Sequence, residues 1–279
     1  MKGKKITKAS IFQFLLGLVP FLFFILILIP VVWMALSSLK STNEIFEDLW
    51  ALPENWLFSN YAQAWNTGIS SYFKNSLIVT VCTCLLNVAV CSLYAFSLVV
   101  FEFKGKRLFH LLAVGGLMFS PIVSLIPLYQ ELQALHLYNT RLALILIYTA
   151  FQMPLCFMLT YNYFKDIDRA YVEAARLDGC SSIQILSHVF LPMSKPIIMT
   201  MIVLTAFYAW NEFTFALIFI SGEAKKTVPI GLLAFQGEMH AEWSVLLAGL
   251  TISAIPIIVF FILTQKYFIA GMTAGSVKN

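Results

Sequence analysis

Residue types that do chemistry in proteins are few in this 279-residue chain, and they are not grouped as an enzyme would need them. The four histidines, His110, His136, His188 and His240, fall in separate segments. Most of the five cysteines lie in apolar stretches, and their spacing lacks the partners of a zinc site. The sequence has no glycine-rich phosphate-binding loop. We therefore expect no catalytic residue, no metal site and no disulfide framework.

One acidic residue stands out because it lies inside a long apolar segment. Glu212 closes the sequence Tyr208-Ala-Trp210-Asn211-Glu212, and the surrounding stretch has no other charge. Charged side chains are costly in a membrane and normally face a cavity or a partner. Tyr208, Trp210, Asn211 and Glu212 could line a substrate path and offer hydrogen bonds and ring stacking to a sugar. Alternatively, Glu212 could fix helix packing by bonding to a neighbouring helix.

The composition indicates which elements must position these residues. Hydrophobic residues make up 60% of the chain and charged residues 11%, against roughly 45–50% and 25% in soluble domains. Six apolar stretches each contain the roughly 20 residues that a helix needs to cross a bilayer. They are residues 12–38, 75–101, 108–130, 142–164, 196–221 and 244–265. The sequence predicts an all-α integral membrane protein with six transmembrane helices, forming one domain over residues 1–279.

The basic residues predict the orientation of these helices. An even number of spans places both termini on one side, and 13 of the 18 Lys and Arg residues fall on that side. An excess of Lys and Arg marks cytoplasmic segments, so we expect both termini in the cytoplasm. The first apolar run is much longer than the core of a secretory signal, so we expect it to remain attached as the first helix.

The longest polar segment on the predicted cytoplasmic side comprises residues 165–195. Its first half has a helical pattern that we expect to place Tyr171, Ala174 and Ala175 on one face, with Gly179 ending the helix as a left-handed cap. Helical spacing also places Glu173 within reach of Arg169 at i,i+4 and Arg176 at i,i+3. Ser181 or Ser182 could then cap a second helix running toward Pro192, which we expect to stop it. The pattern predicts a helix, a turn and a helix. Taken alone, a cytoplasmic amphipathic helix is more often a membrane-surface element than a docking device.

The spacing within this segment points to docking instead. It reads Glu173-Ala174-Ala175, three residues, Gly179, nine residues, Val189, one residue, then Leu191-Pro192. This pattern resembles the EAA loop of permease subunits of binding-protein-dependent ABC importers, in which Val189 is commonly Ile. The segments Trp210-Asn-Glu-Phe213, Lys226-Thr-Val-Pro229 and the tail from Tyr267 onward also resemble the second permease subunit of maltose-type carbohydrate importers.

The resemblance implies a type I ABC permease fold and a function. The chain would be the membrane subunit of an ATP-driven sugar importer, with an oligosaccharide as the expected substrate, in a bacterial-type cytoplasmic membrane. Its expected partners are a second permease, two ATPase subunits that bind ATP and magnesium, and an extracytoplasmic sugar-binding protein. No cofactor is expected in this chain, and no nucleic acid.

The resemblance also implies roles for particular residues. Those expected to couple the chain to the ATPase are Glu173, Ala174, Ala175, Asp178, Gly179, Leu191 and Pro192. An outside loop with Gly237, Glu238, Met239 and His240 at its tip is expected either to contact the binding protein or to be a solvated connection. Gly271, Gly275 and Lys278 are expected to bring the tail against the ATPase. The companion permease carries most substrate contacts in maltose-type importers, which favours the structural role for Glu212.

Two other functions remain open at this point. A self-contained secondary transporter would use Glu212 as a proton or cation site, but such folds usually have repeated halves with broken helices, and no second counterpart of the Glu212 region is present. An ABC permease for a solute other than a sugar would share the EAA loop.

Overall fold

The computed structural model describes residues 8–235 and 242–274, and every regular element in them is helical. The α-helices of this part of the chain, numbered in chain order, are α1 (Lys8–Ser37), α2 (Thr42–Glu47), α3 (Ser59–Ala64), α4 (Ser70–Val100), α5 (Lys106–Gly115), α6 (Leu125–Ala134), α7 (Arg141–Lys165), α8 (Arg169–Leu177), α9 (Ser182–Ile185), α10 (Leu191–Met193), α11 (Lys195–Asn211), α12 (Thr214–Phe219), α13 (Val228–Gly231) and α14 (Trp243–Ala274). The all-α prediction is confirmed.

Four stretches of the described chain are helical, long and apolar enough to cross a membrane. They are Gly17–Ser37, Ser59–Val100, Arg141–Lys165 and Trp243–Gln265. They correspond to the first, second, fourth and sixth predicted spans. A fifth candidate is the pair Ser182–Met193 and Lys195–Asn211, whose axes are bent by 82° at Ser194.

The third and fifth predicted spans are interrupted. In the third, α5 passes into a 3₁₀ turn at Gly116–Met118, and helix resumes only at Leu125. Pro121 lies in this gap, and proline cannot donate a backbone hydrogen bond to a continuing helix. In the fifth, α11 ends at Asn211, Glu212 is extended, and α12 begins at Thr214. Uniform apolarity therefore predicted the location of these segments but not their breaks.

The chain divides into two compact units, and the first comprises Met1–Thr67 and Phe235–Ile252. In its described part, buried polar groups organise the segment after α1. The Asn60 side-chain amide donates to the carbonyls of Ser38 and Lys40, both at 2.9 Å. The buried Lys40 ammonium donates to the Asp48 carbonyl at 2.9 Å. The Asn60 bonds give the carbonyls just beyond the end of α1 hydrogen-bond partners, and the Lys40 bond ties this segment to the end of α2.

The second unit, Gly68–Ala234 and Ser253–Asn279, has its core where α4, α7 and α11 pack on one another. The fully buried Asn87 of α4 joins these three helices. Its amide donates to the Thr205 hydroxyl of α11 at 3.0 Å and to the Cys156 sulfur of α7 at 3.5 Å, and its carbonyl accepts from the Cys91 thiol at 2.9 Å. Interhelical hydrogen bonds of this kind stabilise helix association in a membrane, where the hydrophobic effect does not favour helix contacts over lipid contacts.

One end of this three-helix core carries a cluster of aromatic rings. Phe190, which is 1% exposed, lies edge-to-face with Phe96 of α4 and Phe164 of α7, both with ring centroids 5.0 Å away. Val172 of α8 and Ile185 of α9 are buried in the same cluster. The segment between α7 and α11 is therefore packed firmly against the ends of the long helices.

At the opposite end, polar side chains of α4 hold the segment between α12 and α13. The Asn75 amide donates to the carbonyls of Ala224 and Lys226, each at 2.9 Å, and the Ser76 hydroxyl accepts the Val228 N–H at 2.8 Å. The Lys226 ammonium beside Glu223 holds the pKa of that carboxyl below its usual range.

Two adjacent glycines provide a test of the packing of α5 on α7. A Cβ atom added at Gly116 would lie 2.6 Å from Cγ of Pro154, whereas one added at Gly115 would meet nothing within 4 Å. Gly116→Ala should lower the free energy of unfolding by about 1–3 kcal/mol because it overpacks this contact. Gly115→Ala should be neutral or should stabilise the chain by up to about 1 kcal/mol. Thermal unfolding in detergent measures both. Equal stability of the two variants would contradict the close approach of α5 to α7.

Candidate functional site

The predicted docking element begins with a well-capped helix. The Asp168 carboxylate accepts the Ala170 N–H at 3.0 Å and so caps α8. Val172 and Ala175 face the aromatic cluster and are buried, whereas Tyr171 and Ala174 are exposed. The expectation that Tyr171, Ala174 and Ala175 share a face is therefore wrong at Ala175. α8 is amphipathic, and its apolar side packs on the rest of the protein.

Gly179 ends α8 in the conformation that the sequence predicts. Its φ is +80°, in the left-handed region that glycine adopts without steric cost. The Gly179 N–H donates to the Arg176 carbonyl at 3.0 Å, and the Cys180 N–H donates to the Ala175 carbonyl at 2.9 Å. This pair of bonds is a Schellman motif, and it satisfies the last carbonyls of the helix.

Ser181 starts the second helix of the element. Its hydroxyl accepts the Gln184 N–H at 3.4 Å, and the Gln184 side chain accepts the Ser181 N–H at 2.8 Å, which forms a capping box. Helical structure continues through a π-helical turn to Met193. The helix therefore ends one residue beyond Pro192, where it was expected to stop, and the chain turns at Ser194. Leu191 is partly buried against the aromatic cluster, and Pro192 is exposed.

The outward side of the element carries large apolar side chains in solvent. Leu177 is 89% exposed, Ile183 74% and Tyr171 53%. Ala174, Asp178 and Gly179 are exposed beside them. We call this set the turn patch: Tyr171, Ala174, Leu177, Asp178, Gly179 and Ile183. Apolar groups grouped in this way on an otherwise polar helix pair mark an interaction surface.

Glu173 does not belong to the turn patch. It is exposed and lines a pocket with Lys165, Arg169 and Arg176. The i,i+3 and i,i+4 pairings expected for Glu173 are not formed within 4.0 Å in the described residues, and Arg169 instead lies 3.9 Å from Glu102. Of the predicted coupling residues, Glu173, Ala174, Asp178, Gly179 and Pro192 are exposed, Leu191 is partly buried and Ala175 is buried.

Glu212 bonds to the chain's own groups. Its carboxylate accepts the Tyr148 hydroxyl of α7 at 2.7 Å and the N–H groups of Phe215 and Ala216 at 2.8 and 3.1 Å. The carboxylate therefore supplies acceptors for the first turn of α12 and ties the helix break to α7. Negative charge at a helix N-terminus is favourable.

The other residues of the predicted substrate path also make internal contacts. The buried Trp210 donates its indole N–H to the Ser253 carbonyl at 3.1 Å and lies edge-to-face with Phe73. Asn211 donates to the Phe207 carbonyl at 2.9 Å on its own helix. Tyr208 is partly buried, with its ring 5.7 Å from that of Tyr148. Only Asn211 of these four is exposed, so a substrate path through them stays a prediction.

Sequence inspection missed Tyr148 and Asn87, which provide the main polar contacts of α7 and α4 in this region. A tyrosine in an apolar run gives no signal of its partner. Asn87 could have been noticed as one of few amides inside a predicted span, where an unpaired amide is costly.

Several residues to which the resemblance assigns a role lie outside the described residues or near the end of the described chain. Gly237, Glu238, Met239 and His240 lie outside the described residues, as do Gly275 and Lys278. Gly271 lies in α14, whose helix continues to Ala274. Within the described part of the chain, no three His, Cys, Asp or Glu residues are placed to hold a metal ion.

Comparisons with known proteins agree with this architecture. Residues 8–273 match the family described as the binding-protein-dependent transport system inner membrane component. A probable ABC transporter permease, YurM of Bacillus subtilis (strain 168), is 50% identical over 98% of this chain and 90% of its own length. The trehalose/maltose transport system permease MalG of Thermococcus litoralis is 36% identical over 75% of this chain and 76% of its own length.

A solved structure has the same fold. It is the crystal structure of a bacterial ABC transporter involved in the import of the acidic polysaccharide alginate. The matched chain superposes with a TM-score of 0.83 at 23% identity, over 95% of this chain and 100% of that chain. Together, the family match and the relatives show that this protein belongs to the family of inner membrane components of binding-protein-dependent transport systems.

Proposed function

We propose that this chain is the membrane-spanning subunit of an ATP-driven importer for an oligosaccharide. In this proposal an extracytoplasmic binding protein delivers the sugar, a second permease completes the pathway, and two ATPase subunits bind and hydrolyse ATP with magnesium. The chain itself carries no cofactor. The family assignment supports transport, and the names of the relatives, which include a trehalose/maltose permease, support a sugar.

One observation carries the coupling part of the proposal: the turn patch is exposed on an element that is otherwise firmly anchored. Leu177 and Ile183 point away from the protein, while Phe190 and Val172 pack into the aromatic cluster. A partner that binds the patch would therefore move a rigid body rather than a loose loop. We propose that the partner is an ATPase subunit.

The geometry supports a route for that motion. The element passes into α11 through the 82° bend at Ser194, and α11 ends at the helix break that Glu212 ties to α7. Displacing the turn patch would therefore move the element together with the ends of α4 and α7 on which it packs, and the bend at Ser194 would pass the motion to α11. A rigid-body shift of helices between two packed states is a usual form of alternating access.

We further propose six spans, with residues 106–134 and 195–219 each counted as one interrupted span. The excess of Lys and Arg on one side supports cytoplasmic termini in a bacterial-type cell membrane. We keep two contacts as parts of the proposal: Gly237, Glu238, Met239 and His240 with the binding protein, and the tail containing Gly271, Gly275 and Lys278 with the ATPase.

A substitution at Gly179 tests coupling through the turn patch most directly. Gly179→Val should strain the left-handed turn by about 1–3 kcal/mol, because a β-branched residue is disfavoured at φ +80°. Open space surrounds the position, so the effect should come from the backbone and not from a clash. We expect ATPase co-purification and labelled-oligosaccharide uptake to fall roughly tenfold.

The matched control is Gly179→Asn, since asparagine tolerates the left-handed region. It should retain most co-purification and uptake at equal membrane levels of the protein. If Gly179→Val inserted normally and matched wild type in both assays, coupling through this turn would be refuted.

A substitution at Glu212 distinguishes the proposed ATP-driven importer from a secondary transporter. Glu212→Gln keeps one oxygen that can accept from the Tyr148 hydroxyl and the Ala216 N–H but leaves the Phe215 N–H without its acceptor, so the free energy of unfolding should fall by about 1–3 kcal/mol and uptake should remain ATP-dependent. Glu131→Gln on the exposed face of α6 is the control for loss of one charge. Complete loss of uptake in Glu212→Gln, with thermal stability equal to that of the control, would instead indicate an ion site or a substrate contact.

A further inference from the structure

A pocket of about 230 Å³ opens beside α8, at the level where two long apolar helices end. Its walls come from the end of α4, the start of α5, the end of α7, and α8. α4 stops at Val100 and α7 at Lys165, and both belong to stretches able to cross a membrane. The pocket therefore lies at the boundary between the apolar and polar parts of the molecule.

The lining of this pocket is divided by chemistry. Leu98, Val99 and Phe190 form an apolar floor. Four cations surround it: Lys106, Lys165, Arg169 and Arg176. One carboxylate, that of Glu173, lines the pocket with them. An apolar floor with a cationic rim matches a molecule that carries both an anionic group and a hydrocarbon chain.

The cations are only partly neutralised by the chain itself. Lys106 pairs with Glu102 at 2.9 Å, and the same carboxylate lies 3.9 Å from Arg169. The bond from Lys106 holds the pKa of Glu102 below its usual range, so Glu102 is ionised at neutral pH. In the described residues no carboxylate lies within 4.0 Å of Lys165 or Arg176. Asp168 is directed at the Ala170 N–H and caps α8.

We propose that this pocket binds the phosphate headgroup of an anionic phospholipid, with Lys165 and Arg176 as its main charged contacts. The guanidinium of Arg176 can pair with phosphate through two parallel hydrogen bonds, and Lys165 adds a mobile point charge. The apolar floor would take the first carbons of an acyl chain. Basic pockets at the ends of transmembrane helices are suited to such headgroups. The proposal goes beyond sugar import and does not depend on it.

The test uses the purified full chain, titrated with dioleoylphosphatidylglycerol in dioleoylphosphatidylcholine nanodiscs, with bound lipid measured by native mass spectrometry. A direct charge-assisted hydrogen bond to the phosphate contributes about tenfold to affinity, so Lys165→Gln with Arg176→Gln should weaken binding about 100-fold. Glu173→Gln should strengthen binding because it removes the like charge. The charge-preserving variant Lys165→Arg, which keeps Arg176, should bind nearly as wild type does.

The matched control is Lys104→Gln with Arg107→Gln, an exposed cation of the loop before α5 and one of the first turn of α5, neither of which lines the pocket. It should change binding by no more than roughly twofold in 0.15 M salt, where exposed charges are screened. An equal loss in both double variants would show general attraction to an anionic surface and would overturn the pocket.

Three further outcomes would also overturn the lipid assignment. In the first, inorganic phosphate stabilises the chain in neutral lipid, this stabilisation is lost in the Lys165→Gln, Arg176→Gln variant, and phosphatidylglycerol does not compete with the phosphate. The double variant could lose ATPase co-purification in neutral lipid, which would make a protein side chain the occupant. Photoactivatable phosphatidylglycerol could label wild type only outside the pocket lining, which comprises residues 98–106, 161–176 and 190. Labelling within these ranges supports the proposal even if a variant fails to fold.

Discussion

The fold of the second unit depends on satisfying polar groups inside apolar helix contacts. Asn87 does this at the meeting of α4, α7 and α11, where its amide bonds to both other helices and its carbonyl accepts from Cys91. In a membrane, hydrocarbon competes with side chains for apolar contact, so such polar bonds and close packing determine which helices associate. The remaining elements of this unit are arranged around the three helices that Asn87 joins.

This arrangement explains why a surface element can act on the helices. The aromatic cluster around Phe190 attaches the segment between α7 and α11 to the ends of the core helices, and the caps at Asp168, Gly179 and Ser181 fix its two short helices. Short helices are marginal by themselves because few of their backbone groups are paired internally. Capping and burial together make the element rigid, and the turn patch is its exposed apolar part.

Much of this could be predicted from the sequence, because the signals were local. Apolar length predicted the location of four long helices, and Gly179 predicted its left-handed turn. The helix of the second predicted span begins earlier than predicted, at Ser70, and that of the sixth continues to Ala274. The interruptions at residues 116–124 and 212–213 were missed because hydropathy does not report backbone geometry. The pairing of Glu173 was wrong for a similar reason: helical spacing allows an ion pair, but the tertiary neighbours of Arg169 include Glu102, which is distant in sequence.

Glu212 shows why a single charge in an apolar span has two competing interpretations. A helix that breaks within a membrane leaves backbone N–H groups without partners, and each unpaired group costs free energy in a medium without water. The Glu212 carboxylate meets this requirement by accepting two N–H groups of α12 and the Tyr148 hydroxyl. The lone acid and the broken helix therefore explain each other, since the break creates donors and the carboxylate accepts from them. Because α11 also leads to the turn patch, the same residue fixes the far end of the helix that a docking partner would move.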